Sequence, residues 1–258
     1  MINILIIIII IIILIIYLLY RKRIESFENR INFQTYVINL DRSPDRLKSI
    51  KQQCKEQGIH FNRWRAYDGS KLNFKKLIKN NILNPKNNMM KGAIGCSMSH
   101  INLWKYCQSQ KDDIILVLED DCLIDSDFKK KLSIYIKQLP KNWDLFYLGA
   151  SNINGKKISK NILIPNKSKN KNSTENTGMY AMLIKKKILP QLIKDNLPIS
   201  GNIDQIIKNN IFDKINVYIA YPPLITHNNN IKSMRRLVSN RQTTTRWFKE
   251  IQNKIKIN

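Results

Sequence analysis

The sequence predicts an α/β domain in which a layered sheet is flanked by helices. Strand-like and helix-like segments alternate along the chain, which is the order that builds such a sheet. Residues 114–118 are all aliphatic and have the composition of a strand buried on both faces. Roughly 220 residues follow the N-terminal apolar segment and a short polar stretch, which is enough for a single domain with a full core.

The apolar segment at the N-terminus predicts a membrane anchor. Residues 4–20 are only Ile, Leu and Tyr, and a helix of that length nearly crosses the hydrocarbon core of a bilayer. A signal peptide is the alternative, but no basic residue precedes the segment and no small-residue cleavage site follows it. We therefore expect a transmembrane helix at residues 1–20 and a tether at residues 21–33.

The charges after this segment predict its orientation. Arg21, Lys22 and Arg23 follow it directly, and the positive-inside rule then puts the C-terminal side in the cytosol. The four Cys have neither metal-ligand spacing nor the pattern of a disulfide framework, which agrees with a reducing compartment. We expect a single-pass membrane protein with its folded domain on the cytosolic side.

The first strand and helix have clear local signals. Residues 35–40 predict a strand, after which Ser43 is a candidate N-cap and Pro44 suits the first helical position. Leu47, Ile50 and Cys54 supply the apolar face of this helix, which we expect to stop by residue 58.

Periodicity predicts the remaining elements. We expect strands at residues 61–67, 114–118, 143–148, 178–184 and 217–220. We expect helices at residues 127–138, 187–193 and 204–209, and a small-residue turn at 92–100 that runs into another helix. Residues 71–88 predict part helix and part loop, and residues 151–175, rich in Asn, Lys and Ser, predict a surface excursion.

The charge balance admits two interpretations. A net charge of +25 suggests nucleic-acid binding. However, Lys, Asn and Ile dominate the whole chain together, as an AT-rich genome would produce, and the lysines are scattered rather than arranged in one stripe. We therefore favour compositional bias over a nucleic-acid partner, while a positive field would still attract an anionic ligand.

Three consecutive carboxylates follow the buried strand. Glu119, Asp120 and Asp121 would be delivered together to one edge of the sheet, where their mutual repulsion favours a bound cation. Oxygen ligands suit Mg²⁺ or Mn²⁺, and an ion held by few carboxylates has room for diphosphate oxygens. This pattern predicts an enzyme acting on a metal-bound nucleotide; the alternative is a solvated acidic turn.

Three motifs follow one another along the chain: residues 36–42 (YVINLDR) with Asp45 and Arg46, residues 92–100 (GAIGCSMSH) and residues 117–121 (VLEDD). In this order they resemble glycosyltransferase family 25, which includes lipopolysaccharide and collagen hydroxylysine galactosyltransferases. The resemblance covers about residues 34–230. It implies a GT-A fold, with a Rossmann-like mixed sheet flanked by helices, a UDP-sugar donor, and Mn²⁺ or Mg²⁺ at an Asp-x-Asp-type site.

The resemblance also assigns metal ligands and a catalytic base. It makes Asp121 the first metal ligand and puts Glu119 or Asp120 near the ribose or sugar. Strand alternation would turn Glu119 and Asp121 to the same face, so Glu119 is a second metal candidate. His227 is a third, since a late His completes the metal shell in several GT-A enzymes; a polar loop residue is the alternative. Asp204 occupies the expected position of the general base, or else caps a helix.

Two further groups of residues are candidates for contact with the UDP-sugar. Gly92 and Gly95 would let backbone approach a ligand, and Ser99 and His100 would lie at a helix start whose free N–H groups favour an anion. The alternatives are a helix cap and a half-buried His100.

The second group of residues lies at the ends of the first two predicted strands. Asn39 or Asp41 would contact uracil or ribose, and Arg42 or Arg46 a phosphate, because α/β sheets bind ligands at such strand ends. Surface ion pairing is the alternative for these charged residues. Asp68, after the second strand, is a further candidate.

The sequence as a whole predicts a metal-dependent enzyme that moves galactose or glucose from a UDP-sugar to a hydroxyl on a protein, glycan or lipid. The alternative is a non-catalytic, membrane-tethered basic protein that binds nucleic acid or anionic lipid. Residues 231–258 predict a basic amphipathic tail. The composition and the short anchor fit a large DNA virus or another AT-rich microbe.

Overall fold

The computed structural model describes residues 10–19, 32–166 and 170–228, and the chain divides into two units, Met1–Asn32 and Phe33–Asn258. In the first unit, residues 10–19 form helix α1. Within the described ranges, no helix has both the length and the apolar character needed to cross a membrane. The rest of the predicted anchor, nearly all of the tether and the whole C-terminal tail lie outside the described residues.

The second unit contains the sheets and six further α-helices among its described residues. The strands are β1 (Gln34–Asn39), β2 (Asn62–Arg65), β3 (Ile114–Glu119), β4 (Cys122–Ile124), β5 (Leu145–Tyr147), β6 (Gly155–Lys157), β7 (Ile162–Pro165), β8 (Ala181–Lys185), β9 (Val217–Ala220) and β10 (Ile225–His227). The helices are α2 (Pro44–Glu56), α3 (Phe74–Lys79), α4 (Lys91–Gln108), α5 (Phe128–Ile136), α6 (Leu189–Asp195) and α7 (Ile203–Asn210), with short 3₁₀ turns at Gly69–Lys71 and Lys186–Ile188.

Eight strands form one mixed sheet in the order β2-β1-β3-β8-β5-β9-β7-β6. Strand β1 runs parallel to β2 and β3, and β5 runs parallel to β9, whereas β8 lies antiparallel between β3 and β5. The carboxyl ends of β1, β2, β3, β5 and β9 therefore meet at one edge, where β8 begins. This mixed sheet with flanking helices confirms the predicted α/β class.

The first strand and helix form where local signals predict them. Five of the six β1 residues are buried, and Ile50 and Cys54 turn the apolar face of α2 inward. Pro44 occupies the helix start, but Ser43 makes no side-chain capping hydrogen bond. Gly58 ends the turn after α2 with φ +58°, a left-handed conformation that glycine adopts at little cost.

Helix α4 begins much earlier than the sequence predicts. It starts at Lys91, so Ser99 and His100 lie in its middle and their N–H groups are not those of a helix start. The expectation that these N–H groups face an anion is therefore wrong. Gly95 packs against backbone instead, because an added Cβ would lie 2.5 Å from the Tyr67 carbonyl oxygen and 2.7 Å from the Gly69 nitrogen.

The polar stretch at residues 151–175 is more structured than predicted. It contributes β6 and β7, which extend the main sheet beyond β9 through pairs such as Ile162 with Ala220. A second, two-stranded sheet joins β4 to β10, with His227 opposite Cys122. These strands are three or four residues long, which is too short for a periodic pattern to stand out.

Replacing Gly95 by Ala tests the close contact between α4 and residues 67–69. Glycine to alanine inside a helix normally stabilises by about 0.5–1 kcal/mol. Here we expect a net loss of about 1–3 kcal/mol in the free energy of unfolding, since the new methyl group displaces backbone. Urea denaturation of the full chain, followed by circular dichroism, measures the change.

Gly201→Ala is the matched control. Its added Cβ would first meet the Ile206 Cδ1 at 3.3 Å, the flexible end of a side chain. We expect a change within about 0.5 kcal/mol. A stabilised Gly95→Ala variant would contradict the tight packing of α4.

Candidate active site

A cavity of about 250 Å³ opens at the edge where the strands end. It is lined from the ends of β1, β2 and β3, from the residues before β8, and from α4, α7 and β10. The predicted site residues that the cavity brings together are Arg42, Arg46, Gly92, Ser99, Glu119, Asp120, Asp121, Asp204 and His227. Asn39, Asp41, Asp68, Gly95 and His100 are not among its lining residues.

Asp120 and Asp121 share one guanidinium. Strand β3 ends at Glu119, so both aspartates lie in the turn before β4 and strand alternation does not apply to them. Arg46 Nη1 from α2 lies 3.2 Å from Asp120 Oδ1 and 3.1 Å from Asp121 Oδ2. The prediction that Glu119 and Asp121 face together, with Asp120 opposite, is therefore replaced by an Asp120–Asp121 pair.

Among the described residues, burial of the carboxylate cluster outweighs the positive charge beside it. Burial raises the pKa of Asp120, although Asn39 and Arg46 act in the opposite direction. Burial and the charge of Glu119 raise the pKa of Asp121 against the lowering effects of His227 and Arg46. A bound divalent cation would supply the missing charge.

Asn39 lies behind Asp120 instead of in the cavity. It is 1% exposed, and its amide donates to Asp120 Oδ2 at 2.6 Å and to the Ser43 carbonyl at 3.1 Å. Its Oδ1 accepts from Arg63 Nε at 2.9 Å. Asn39 therefore positions a carboxylate, and it does not line the cavity in which the predicted contact with uracil or ribose would form.

Asp41 forms ion pairs with two arginines of β2. Arg63 Nη2 donates to its Oδ1 at 2.7 Å, and Arg65 Nε donates to its other oxygen. These hydrogen bonds, led by that of Arg63, lower the pKa of Asp41. Sequence reasoning missed both arginines, although their spacing of two in a strand puts them on one face.

Arg42 and Asp68 form an ion pair that joins the loops after β1 and β2. Asp68 also caps the 3₁₀ turn by accepting from Ser70 N at 3.0 Å. Burial opposes ionisation of Asp68, but the hydrogen bonds from Ser70 and Arg42 leave its pKa lowered. Asp68 lines a second, neighbouring cavity of about 470 Å³ and does not line the cavity that contains the carboxylate cluster.

His100 is fully buried behind Glu119, where the sequence predicted a half-buried side chain or a ligand contact. Its Nε2 lies 3.0 Å from Glu119 Oε1, and Cys96 Sγ lies 3.7 Å from the same oxygen. Burial lowers the pKa of His100, but the hydrogen bonds with Cys96 and Glu119 outweigh it and raise the pKa to about 9. Cys96 lines the cavity, and sequence reasoning missed it, although its spacing of four from His100 was a usable signal.

His227, at the end of the last described strand in chain order, lies next to the carboxylate cluster. The β4–β10 pairing sets it beside the acidic turn, with Nε2 3.5 Å from Asp121 Oδ2. Its side chain is 35% exposed and lines the cavity. His227 therefore lies beside Asp121, and its role as a metal ligand stays a prediction.

Asp204 lies in the first turn of α7, where Asn202 is the N-cap residue, so the alternative role of Asp204 as N-cap is wrong. Its carboxylate accepts from Gly178 N at 3.3 Å and from Gln205 N at 2.9 Å. Gly178, with φ +99°, and Tyr180 line the same cavity. Asp204 is thereby fixed in a cavity wall built by a separate part of the chain from the acidic turn.

The donor set around Asp121 fits a hard divalent cation. Asp121 Oδ1 is buried and has no hydrogen-bond partner among the described residues. An oxygen without a donor, next to a second carboxylate and an imidazole, is the environment that Mn²⁺ or Mg²⁺ accepts.

The sequence is similar to a known protein family and to several of its members. The model of Glycosyltransferase family 25 (LPS biosynthesis protein) matches residues 32–207. A protein of Acanthamoeba polyphaga mimivirus named procollagen lysyl hydroxylase and glycosyltransferase is 37% identical over 157 residues, which are 52% of this chain and 17% of that protein.

Two human proteins are also similar. Procollagen galactosyltransferase 2 is 30% identical over 159 residues, 57% of this chain and 25% of that protein. A protein named inactive glycosyltransferase 25 family member 3 is 30% identical over 142 residues, 50% of this chain and 24% of that protein. The matches thus span a quarter or less of these relatives. Because the family model covers more than half of the sequence, the chain belongs to glycosyltransferase family 25.

Proposed function

We propose that this protein transfers a hexose, galactose or glucose, from a UDP-sugar to an acceptor hydroxyl in a reaction that needs Mn²⁺ or Mg²⁺. The observation that carries the proposal is that one cavity at the strand ends combines buried carboxylates, an imidazole and arginines with a separate carboxylate, Asp204. Family membership and the galactosyltransferase names of relatives support it. The proposal includes a GT-A-type assignment of the mixed sheet.

Asp121 and His227, with Glu119, are the residues that would hold the metal ion. When bound, the ion supplies a Lewis acid that compensates the charge of the departing UDP. Arg46 keeps the two aspartates together despite their repulsion. Asn39 fixes Asp120 from behind, so that the carboxylate enters the cavity in one orientation.

In this proposal Arg42 binds a phosphate of the UDP-sugar and Asp204 acts on the acceptor hydroxyl. Arg42 lines the cavity and is about a third exposed, so its guanidinium is available to a phosphate while it remains paired with Asp68. Asp204 accepts the proton of the acceptor hydroxyl as that oxygen attacks the sugar. The Gly178 N–H orients the Asp204 carboxylate toward this task.

The acceptor and the membrane placement belong to the proposal as well. Relatives named for procollagen make a hydroxylated protein the first acceptor to test, ahead of glycans and lipids. The single-pass anchor and the cytosolic side of the folded domain rest on the apolar segment and the basic residues that follow it.

A non-catalytic role is the second candidate. One human relative is named inactive although it matches this chain at 30% identity, so family membership alone does not establish turnover. A basic, membrane-tethered protein that binds nucleic acid or anionic lipid would agree with the net charge of +25. Salt-sensitive DNA or vesicle binding without metal-dependent UDP release would favour this candidate.

Asp121→Asn tests the metal site. We expect it to lower UDP release about 10²-fold or more, because the main metal ligand loses its charge. The assay uses a panel of UDP- and GDP-sugars with and without Mn²⁺, and chelation should abolish the wild-type signal. Asp113→Asn is the matched control, since Asp113 is 92% exposed and lies just before β3, at the other end of the strand. Wild-type turnover by Asp121→Asn would exclude the metal role.

Asp204→Asn tests the general base. We expect turnover with a hydroxyl acceptor to fall about 10²–10⁴-fold, since the amide cannot take a proton, while the affinity for UDP and Mn²⁺ stays within about twofold. Calorimetric titration with UDP separates the two effects. Asp127→Asn, an exposed carboxylate before α5, should change neither quantity. Equal losses of binding and turnover in Asp204→Asn would point to a structural role instead.

A further inference from the structure

A second cluster of metal-ligating side chains lies on the α4 wall of the cavity. Cys96 and His100 are one turn apart on α4 and meet Glu119 at the end of β3. One ligand atom from each of the three residues lies within 4.8 Å of the others. Since a sulfur, a nitrogen and an oxygen converge here, the cluster differs in kind from the oxygen-rich turn of Asp120 and Asp121.

The donor atoms of this cluster suit a thiophilic ion. Cysteine sulfur and imidazole nitrogen favour Zn²⁺, whereas carboxylate oxygens favour Mg²⁺ and Mn²⁺. Tetrahedral zinc with Zn–S of about 2.3 Å and Zn–N or Zn–O of about 2.0–2.1 Å separates its ligand atoms by about 3.3–3.6 Å. The observed separations from Glu119 Oε1 are 3.0 Å for His100 Nε2 and 3.7 Å for Cys96 Sγ. These two separations differ from the tetrahedral values by a few tenths of an ångström, and the third pair of ligand atoms lies within 4.8 Å.

The cluster is open on one side. Cys96 and Glu119 line the cavity, so an ion can enter from there, while His100 is fully buried behind them. Three protein ligands would leave a fourth position for water on the cavity side. Zinc sites with such an open position differ from the closed four-ligand sites that stabilise folds.

We propose that Cys96, His100 and Glu119 bind a thiophilic divalent cation of the Zn²⁺ class, and that the bound ion inhibits the enzyme. On binding, the ion replaces the protons of the Cys96 thiol and of His100 Nε2, which are released to solvent. Because Glu119 becomes a ligand of this ion, it is withdrawn from the Asp121 site. The inhibitory half rests on the proposed transferase function, whereas the binding half does not.

Cobalt titration of the metal-free full chain tests the binding half. Co²⁺ replaces Zn²⁺ in such sites and shows a thiolate-to-metal charge-transfer absorption when sulfur is a ligand. Cys96→Ala removes the proposed sulfur, and Cys107→Ala removes a buried thiol of the same helix, outside the cluster. Circular dichroism checks that both variants are folded.

We expect one equivalent of Co²⁺ to give the thiolate band in the wild type and in Cys107→Ala, and added Zn²⁺ to displace it. In Cys96→Ala we expect no band and a loss of Zn²⁺ affinity of about tenfold or more. A wild-type chain without the thiolate band, or a Cys96→Ala variant with unchanged band and affinity, overturns the site.

An activity assay tests the inhibitory half separately. With Mn²⁺ held constant, added Zn²⁺ should lower UDP release by the wild type and by Cys107→Ala, while the activity ratio with and without Zn²⁺ stays near one in Cys96→Ala. Binding without inhibition would overturn the regulatory half alone. If the chain shows no transfer at all, the proposed function fails, but the cobalt titration still decides whether the site exists.

Discussion

The guanidinium of Arg46 holds two carboxylates together at the end of a buried strand, and the arrangement of the cavity depends on it. Asp120 and Asp121 are both 8% exposed, and two neighbouring anions with so little contact with solvent repel each other strongly. Arg46 lies about equally far from both, while Asn39 anchors Asp120 from behind. Even so, the pKa of each aspartate stays raised by burial, so the site retains a preference for additional positive charge.

The main sheet makes this charge balance possible. Parallel β1 and β3 end at the same edge, so the helix that follows β1 delivers Arg46 to the turn that follows β3. The short β4–β10 pairing brings His227 to the same turn from more than a hundred residues away in sequence. Gly95 lets α4 pack closely against residues 67–69, and Cys96 and His100 of the same helix contact Glu119.

Glu119 connects two halves of the cavity that differ in chemistry. On one side are the oxygens of Asp120 and Asp121, which suit a hard cation. On the other are the sulfur of Cys96 and the imidazole of His100, which suit a softer ion. Glu119 is therefore shared between the proposed Mn²⁺ or Mg²⁺ site and the proposed Zn²⁺ site, so occupation of one would withdraw a ligand from the other.

The sequence by itself determined the α/β class, most of the longer strands and helices, and the family. It also singled out Glu119, Asp120 and Asp121, because these carboxylates follow a strongly apolar strand, which is a local signal carried by neighbours in the chain. Asp204 and His227 are expected only from the resemblance to the family.

Only the tertiary structure decided which side chains meet. The occupation of Asn39 by Asp120 and Arg63, the pairing of Asp41 with β2, and the cluster of Cys96 with His100 and Glu119 all join segments that are distant in sequence. The early start of α4 and the strands β6 and β7 likewise depend on packing against the rest of the sheet. Strand register and helix packing are set by burial across the whole domain, so no local pattern could have specified which of these segments meet.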